Sequence, residues 1–569
     1  MSRRPPWGAP TWPPTPPDAR TRPGEAVARL GVDTGLSRRL TAVVLVAACL
    51  AASLAPRAQA TGPVPAADDA ASVHALSRLG FGPRPGDVER VKAIGLVAWI
   101  EGQLEPRRLD DRAAAQALAA LPTLTMSTAE LHREYPRPDL RQKSADPQMT
   151  PRELFDRPPP EKRPVRIVAE MQAARMVRAI ESERQLEEVM VDFWFNHFNV
   201  HAAKGEVKWY LTSYERDVIR PHALGKFGDL LRGTATHPAM LFYLDNWLST
   251  RPNFTVPFGA NRGKRAGLNE NYARELMELH TLGVDGGYTQ TDVTEVARAF
   301  TGWTIERPRD DSRFIFRPLM HDRGEKTVLG TRLTAGGGRD DGERVLSLLV
   351  HHPATATFVA TKLVRRFVVD EPPPALVERV AATFRGTDGD VRAMLRTIVA
   401  APEFWAADAR GAKIKKPFEY VASAVRAMGG HVDARAGFFL ARAAAEMGEG
   451  LYGAQPPTGY SDRAEAWVNG GALLARMNFA LALTQRRLPG VTLDLSPLAA
   501  DAAAPDAALE RLLAALLHGE ASAQTRAVLT AQLTNPEIRR QTPDDRGPAN
   551  TDVAKLAALV IGSPEFQRR

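Results

Sequence analysis

The chain has 569 residues, of which 44% are hydrophobic, and a formal net charge of +8. This length exceeds the size at which a single hydrophobic core keeps growing, so we expect one very large domain or two to three smaller ones. The only cysteine is Cys49. A mature chain that begins after Cys49 therefore has no disulfide, no cysteine nucleophile and no cysteine-ligated metal.

Residues 36–60 have the pattern of a secretory signal peptide. Arg38 and Arg39 precede an apolar run from Leu40 to Leu54, and Ala58-Gln59-Ala60 forms a small-x-small cleavage site. The run is short for a bilayer span. We predict export to the periplasm or the extracellular space, with no stable membrane span after cleavage. The alternatives are an N-terminal membrane anchor and lipidation at Cys49.

The residues before this signal are rich in proline and arginine and lack apolar periodicity, so we predict that translation starts near Val32 or Leu36. Residues 1–60 also hold eight arginines against three acidic residues, which leaves the mature chain with a net charge of about +3. The basic excess lies mostly in the part that is removed. We therefore expect no nucleic-acid binding.

Helical periodicity extends over most of the remaining chain. Apolar spacing from His74 to Leu104, broken by Gly80–Pro83 and by Gly95, predicts two short helices, and the proline-rich stretch 137–163 predicts a surface excursion. We divide the chain into the signal region 1–60, N-terminal helices with the excursion at 61–164, a central helical core at 165–404 that holds the candidate site, and a C-terminal helical region at 405–569.

One segment of the central core predicts β-structure. Phe314-Ile315-Phe316 and Thr327-Val328-Leu329 flank a turn-like stretch, and we expect them to pair as one β-hairpin near residues 314–330. The other periodic segments are helical. The predicted fold class is therefore mainly α, a large multi-helical globular fold with one small β-hairpin.

A short pattern occurs twice in the chain. Asp390 leads into Pro402-Glu403-Phe404, and Asp552 leads at the same spacing into Pro564-Glu565-Phe566. In each copy the pattern predicts an apolar helix with an acidic residue at its N-terminus and a proline after its end.

Polar groups are concentrated in the predicted helix from Asn269 to His280. Asn271, Glu275 and Glu278 share one face and could line a site, with Glu275 in a catalytic role and Glu278 as a metal ligand. The alternative is an intrahelical charge ladder of Glu270, Arg274 and Glu278. His280 is rotated away from Glu278, and we expect it to pack at the helix end.

The segment around this helix contains two further signals of helix ends. Gly283 suits the C-terminus of the Asn269–His280 helix, and Thr289 with Asp292 forms a capping box for the next helix.

Three histidines outside this helix are further candidates. His197 and His201 are four residues apart and would bind one metal ion together if the helix continued through both. If it ends first, His197 packs on aromatic residues and His201 is exposed. His321 lies in a predicted turn beside Asp322, which could orient it for catalysis, although turns also favour aspartate for local hydrogen bonds.

The sequence lacks a phosphate-binding Gly-x-x-x-x-Gly-Lys-Ser/Thr loop, a Gly-x-Ser-x-Gly nucleophile elbow and a His-Glu-x-x-His pair. The standard nucleotide-binding and hydrolase classes are therefore disfavoured.

Several motifs in one order resemble the domain of unknown function 1800 family of exported bacterial proteins. They are Leu76–Gly82, Asp192–Phe198, Thr236–Leu241 before Tyr243, Asn269–His280, Phe300–Trp303, His321-Asp322 before Lys326, and the two Pro-Glu-Phe endings. The resemblance spans most of residues 70–567. It implies an exported protein whose gene often lies beside that of an exported protein of the alkaline-phosphatase and sulfatase type. The chain departs from the family at Tyr460-Ser461-Asp462, where a glycine-tryptophan pair is more usual.

Two functions follow from these observations. The first is an accessory or binding protein of the cell envelope that acts with an exported alkaline-phosphatase/sulfatase-like partner. The second is a metal-dependent, hydrolase-like enzyme of the central helical core. In the second, His197, His201 and Glu278 would hold a divalent metal, and His321, Asp322 and Glu275 would be catalytic.

Overall fold

A computed structural model of the chain describes residues 64–137, 159–257, 262–499, 504–535 and 552–569. The predicted signal peptide, Cys49 and the predicted translation start lie outside the described residues, as does most of the excursion at 137–163. Each of these stays a prediction. Among the described helices, none combines the length and the apolar composition that a bilayer span requires.

The N-terminal part forms short helices separated by glycine. Gly86 and Gly95 both have positive φ, which a residue with a side chain rarely adopts, and each precedes a helix. Three helices therefore replace the two that were predicted between 74 and 104. The helices of this part are Asp69–Arg78, Asp87–Ile94, Leu96–Leu104, Arg112–Leu118 and Thr128–Glu134.

The central part is a run of helices whose apolar faces meet in the core. Trp194, which is fully buried, donates its indole N–H to the carbonyl of Ala223 at 2.9 Å and so ties two of these helices together. The helices between 165 and 300 are Val165–Glu181, Gln185–His197, Val207–Ser213, Arg220–His222, Phe227–Thr236, Pro238–Tyr243, Asn271–Glu275 and Gln290–Ala299.

Two segments of this part are π-helical, Tyr214–Ile219 and Leu276–Thr281. Each continues a short α-helix, Val207–Ser213 and Asn271–Glu275. The wider turn changes which residues face the core, and such segments are frequent at functional sites. The predicted helix end at Gly283 is confirmed, since Gly283 has a φ of 82°.

The β-structure differs from the predicted single hairpin. Arg313–Phe316 pairs with Trp303–Glu306, and Lys326–Val328 pairs with Thr331–Leu333, both antiparallel. Both predicted segments are strands, but each pairs with the strand nearest to it in sequence, so there are two small hairpins here. Two more two-stranded pairs join Phe254–Thr255 to Arg265–Ala266 and His431–Val432 to Val491–Thr492.

The C-terminal helices complete the fold, which is mainly α as predicted. Asp390 and Asp552 each accept hydrogen bonds from backbone N–H groups at the start of the following helix, which confirms the repeated pattern. The helices after 339 are Asp340–His351, Pro353–Phe367, Pro374–Gly386, Val391–Val399, Pro402–Trp405, Pro417–Ala427, Ala434–Glu446, Gly470–Thr484, Ser496–Ala499, Pro505–Leu517, Ala523–Gln532 and Val553–Ile561.

The largest cluster of buried apolar side chains runs from Ala71 to Phe566 and includes residues from all three predicted regions after the signal. Helix Val165–Glu181 packs against Ala434–Glu446, and Gly470–Thr484 packs against Val553–Ile561. The N-terminal helices and the last helices therefore share the core with the central part. The domain boundaries at 164 and 404 stay predictions.

Candidate functional site

The polar edge of the helix at 271–281 lies near the surface. Glu275 is half-buried, and burial raises its pKa, with Glu278 adding to the effect and Arg274 opposing it. Glu278 accepts a hydrogen bond of 3.4 Å from the hydroxyl of Tyr288. Arg274 pairs with Glu270 at 3.5 Å. Of the predicted charge ladder, the Glu270–Arg274 ion pair is thus present. An exposed ion pair of this kind contributes little to stability.

His197 and His280 meet inside the core. The helix ends at His197, so His201 is not on a shared helical face with it. His197 is only 2% exposed, and its Nε2 lies 3.1 Å from the carbonyl of His280. Burial lowers the pKa of both, that of His280 to about 3. His280 packs at the helix end as expected, while His201 lies beside the backbone of Gly453.

His321 and Asp322 have separate partners. His321 is 1% exposed, its Nδ1 lies 2.8 Å from the carbonyl of Thr301, and its Nε2 lies 3.2 Å from Asp341. Asp322 instead binds Arg298 at 2.8 Å, and this hydrogen bond lowers the pKa of the Asp322 carboxyl. Asp341, rather than the neighbouring Asp322, therefore orients the histidine.

The six predicted site residues have separate partners: His197 contacts His280, His201 contacts Gly453, His321 contacts Asp341, Asp322 contacts Arg298, and Glu275 lies near Glu278. Within the described residues, no group of three or more His, Cys, Asp or Glu side chains is arranged to hold a metal ion. The metal set His197, His201 and Glu278 and the catalytic set His321, Asp322 and Glu275 stay predictions, and the contacts of these residues bring neither set together.

A cavity of about 260 Å³ lies elsewhere, between the first helix and the end of the chain. Its walls come from helices Asp69–Arg78, Pro417–Ala427 and Pro505–Leu517, the segment at 410–415 and the segment at 565–569. The last two are joined by backbone hydrogen bonds, of which Lys415 N–H to the carbonyl of Gln567 is 2.9 Å long. This pairing places Lys415 beside Phe566.

Lys415 is the central charged group of the cavity. It is 7% exposed, its Nζ donates a 2.8 Å hydrogen bond to the hydroxyl of Ser423, and the same Nζ lies 4.0 Å from the ring centroid of Phe566. Burial lowers the pKa of Lys415 to about 7, which Glu419 opposes only in part. At neutral pH the charged form of Lys415 is thus only marginally favoured.

Other cationic groups line the same cavity. Arg410 has a buried Nε without a hydrogen-bond partner, and Arg568 donates to the carbonyl of Gly411 at 3.3 Å. The described lining holds Lys415, Arg410, Arg568 and Arg569 against Glu520 and Glu565, so its basic side chains outnumber its acidic ones.

Lys415 and Ser423 are as close as a general base and a nucleophile in an acyl-transfer enzyme. The geometry around them nevertheless favours ligand binding over acyl transfer. Ser423 lies inside the Pro417–Ala427 helix, so its own backbone N–H belongs to the helical hydrogen bonds. Acyl transfer depends on donors aimed at the developing oxyanion, often backbone N–H groups. The cavity instead offers an ammonium and guanidinium groups, which recognise carboxylate, phosphate or sulfate.

Sequence reasoning missed this cavity. Its one signal is the run Lys413, Lys415 and Lys416 before Pro417, which in a sequence resembles an exposed basic segment. All three lysines are buried.

A family model described as protein of unknown function (DUF1800) matches residues 74–568. No curated protein and no solved structure matches the chain. The match covers most of the chain. The resemblance inferred from the motifs is thereby confirmed, and the chain belongs to the DUF1800 family.

Proposed function

We propose that this protein is exported and that it binds a small anionic ligand in the cavity around Lys415. The observation that carries the proposal is a buried ammonium that lines a cavity and has a hydroxyl and an aromatic face, but no ion-paired carboxylate, among its described partners. A buried charge without a counter-charge is unfavourable. An anion in the cavity would supply the counter-charge.

The neighbouring lysines support this interpretation by contrast. Lys413 donates to Asp370, and Lys416 lies 3.1 Å from Asp192 and 3.5 Å from Glu449. Both have a carboxylate partner within the protein. Of the three lysines, Lys415 is the one whose charge is left for a ligand.

The role that we propose is that of an accessory or binding protein of the cell envelope, which acts with an exported alkaline-phosphatase/sulfatase-like partner. Export is supported by the signal-like pattern at 36–60. Hydrolysis of phosphate or sulfate esters releases inorganic anions, which the ammonium and guanidinium groups of the cavity would recognise. The anions that such a partner would release are thus complementary in charge to the cavity.

Calorimetric titration of the protein with sulfate, phosphate and acetate tests the proposal. We expect binding of sulfate or phosphate that is lost in Lys415→Met and kept in Lys226→Met, which removes an exposed lysine paired with Asp388 instead. Absence of binding by all three anions, or equal binding by the two variants, would contradict it. Export is tested separately, by locating the protein in periplasmic and medium fractions.

The metal-dependent enzyme remains the second candidate, because His197 keeps a buried Nδ1 without a hydrogen-bond partner. Such a nitrogen is a possible metal ligand. Elemental analysis of the protein purified from the periplasm tests it. A stoichiometric metal that is lost in His197→Ala would support the enzyme, and absence of metal in both proteins would remove it.

A further inference from the structure

A second cavity, of about 330 Å³, lies between the N-terminal helices and the π-helical segment Tyr214–Ile219. No residue lines both this cavity and the one around Lys415. Part of its wall is apolar, formed by Leu118, Leu121, Leu124 and Met171. The rest of the wall carries Arg178, Arg216 and Arg220 with Thr212 and Glu215.

Arg178 is the guanidinium of this wall that is left without a close acceptor. Its side chain is 19% exposed, and its nearest ion-pair partner is Glu215 at 3.7 Å, beyond hydrogen-bond distance. Glu215 is engaged by Arg220 at 3.1 Å and by the hydroxyl of Tyr452 at 2.6 Å. Arg178 makes no side-chain hydrogen bond with the residues that the structure describes.

Arg220 and Arg216 are committed to protein groups. Arg220 binds Glu188 at 2.6 Å, and Arg216 donates to the carbonyls of Leu124 and Met126 and to Asp217. These two arginines shape the wall, and Arg178 remains available to a ligand.

Thr212 supplies a second, independent observation. It is 1% exposed, it lines the cavity, and its Oγ1 has no hydrogen-bond partner. Buried hydroxyl groups are normally hydrogen-bonded, and one that is not needs an explanation. A ligand oxygen in the cavity would provide its partner.

We propose that this cavity binds the carboxylate of an amphiphilic monocarboxylate, with Arg178 and Thr212 holding the carboxylate and the apolar wall holding the tail. A guanidinium matches the two oxygens of a carboxylate, and the hydroxyl adds one donor. A dianion is disfavoured because Glu215 lines the cavity and Glu188 is ion-paired with Arg220, another lining residue. The four apolar side chains favour an aliphatic tail over a free inorganic anion.

The test is a calorimetric titration of the full chain with octanoate, repeated with the uncharged octan-1-ol. We expect octanoate to bind and octan-1-ol to bind at least about tenfold more weakly. Arg178→Met should weaken octanoate binding by at least about tenfold, and Thr212→Val by about fivefold. Arg442→Met, which removes an exposed arginine paired with Glu446, should leave it unchanged.

Thr212→Val keeps the shape of the side chain and removes a hydroxyl that has no partner, so its melting temperature should not fall, and loss of binding in this variant cannot be assigned to misfolding. Three outcomes overturn the proposal: no octanoate binding, equal binding of octan-1-ol, or binding unchanged in Arg178→Met and Thr212→Val. Octanoate binding that is lost in Lys415→Met alone would place the ligand in the other cavity and would also overturn it.

Discussion

Lys415 and Lys416 are adjacent in the chain and both buried, but their electrostatic surroundings are opposite. Burial alone would lower the pKa of Lys416, yet the carboxylates of Asp192 and Glu449 outweigh it and raise that pKa. Around Lys415, burial dominates and lowers the pKa to about 7. The difference shows that ion pairing has neutralised one buried charge within the protein, while the other faces a cavity where a ligand can reach it.

Lys416→Met should have the largest effect on stability. It leaves Asp192 and Glu449 buried without their cation, and breaking a buried ion pair in this way costs about 3–5 kcal/mol. Urea denaturation measures the change. The double variant Lys416→Met/Asp192→Asn should recover part of the loss, and a Lys416→Met protein as stable as the parent would remove the distinction between the two lysines.

Lys415→Met should weaken sulfate binding without lowering stability. Since it replaces an unpaired buried ammonium by an apolar side chain of similar length, the free energy of unfolding should stay the same or rise. Sulfate affinity should fall by at least about tenfold. The same urea series, combined with calorimetry, checks both expectations, and a clear loss of stability would show that Lys415 has a structural role.

The pH dependence of sulfate binding sharpens the comparison. Sulfate prefers the protonated lysine and does not itself titrate near neutral pH. Affinity should therefore be full below about pH 7 and should fall by about tenfold per pH unit above it, with proton uptake on binding. Calorimetry in buffers of different ionisation enthalpy measures that uptake. An affinity that is constant from pH 6 to pH 9 would contradict the assignment of Lys415.

Ser423→Ala should have the smallest effect. The hydroxyl accepts a hydrogen bond from the ammonium and so favours its charged form. Without it, the midpoint of the pH dependence should move to lower pH, and sulfate affinity at neutral pH should fall by about two- to threefold. A midpoint that moves upward in the same titration would mean that Ser423 does not accept this hydrogen bond.

Local signals in the sequence were sufficient for much of the fold. Asp390 and Asp552 begin helices, Thr289 and Asp292 form the predicted capping box, and Gly283 ends its helix, because each depends on residues a few positions apart. The predicted pairing of Phe314–Phe316 with Thr327–Leu329 was wrong, because its partner is Trp303–Glu306, a segment that the sequence did not identify as a strand. The π-helical turn at Leu276–Thr281 leaves no mark in the apolar periodicity.

The candidate site was much less accessible to sequence reasoning. The sequence suggests that Asp322, the next residue, could orient His321, but Asp341, which is twenty positions away, holds it in the core. The cavity needs Lys415 to meet Phe566, and a contact between residues so far apart in the chain has no local pattern. The sequence shows which side chains carry charge, and only the packing shows which of those charges lack a partner.

The most direct test of this account is the titration of Lys415 itself, measured by pH-dependent amine acetylation followed by peptide mass spectrometry. We expect Lys415 to become reactive with a midpoint near pH 7, to be protected by sulfate, and to differ from Lys416, which should stay unreactive to much higher pH. A midpoint near the ordinary lysine value of about 10.4, or no protection by sulfate, would contradict the account.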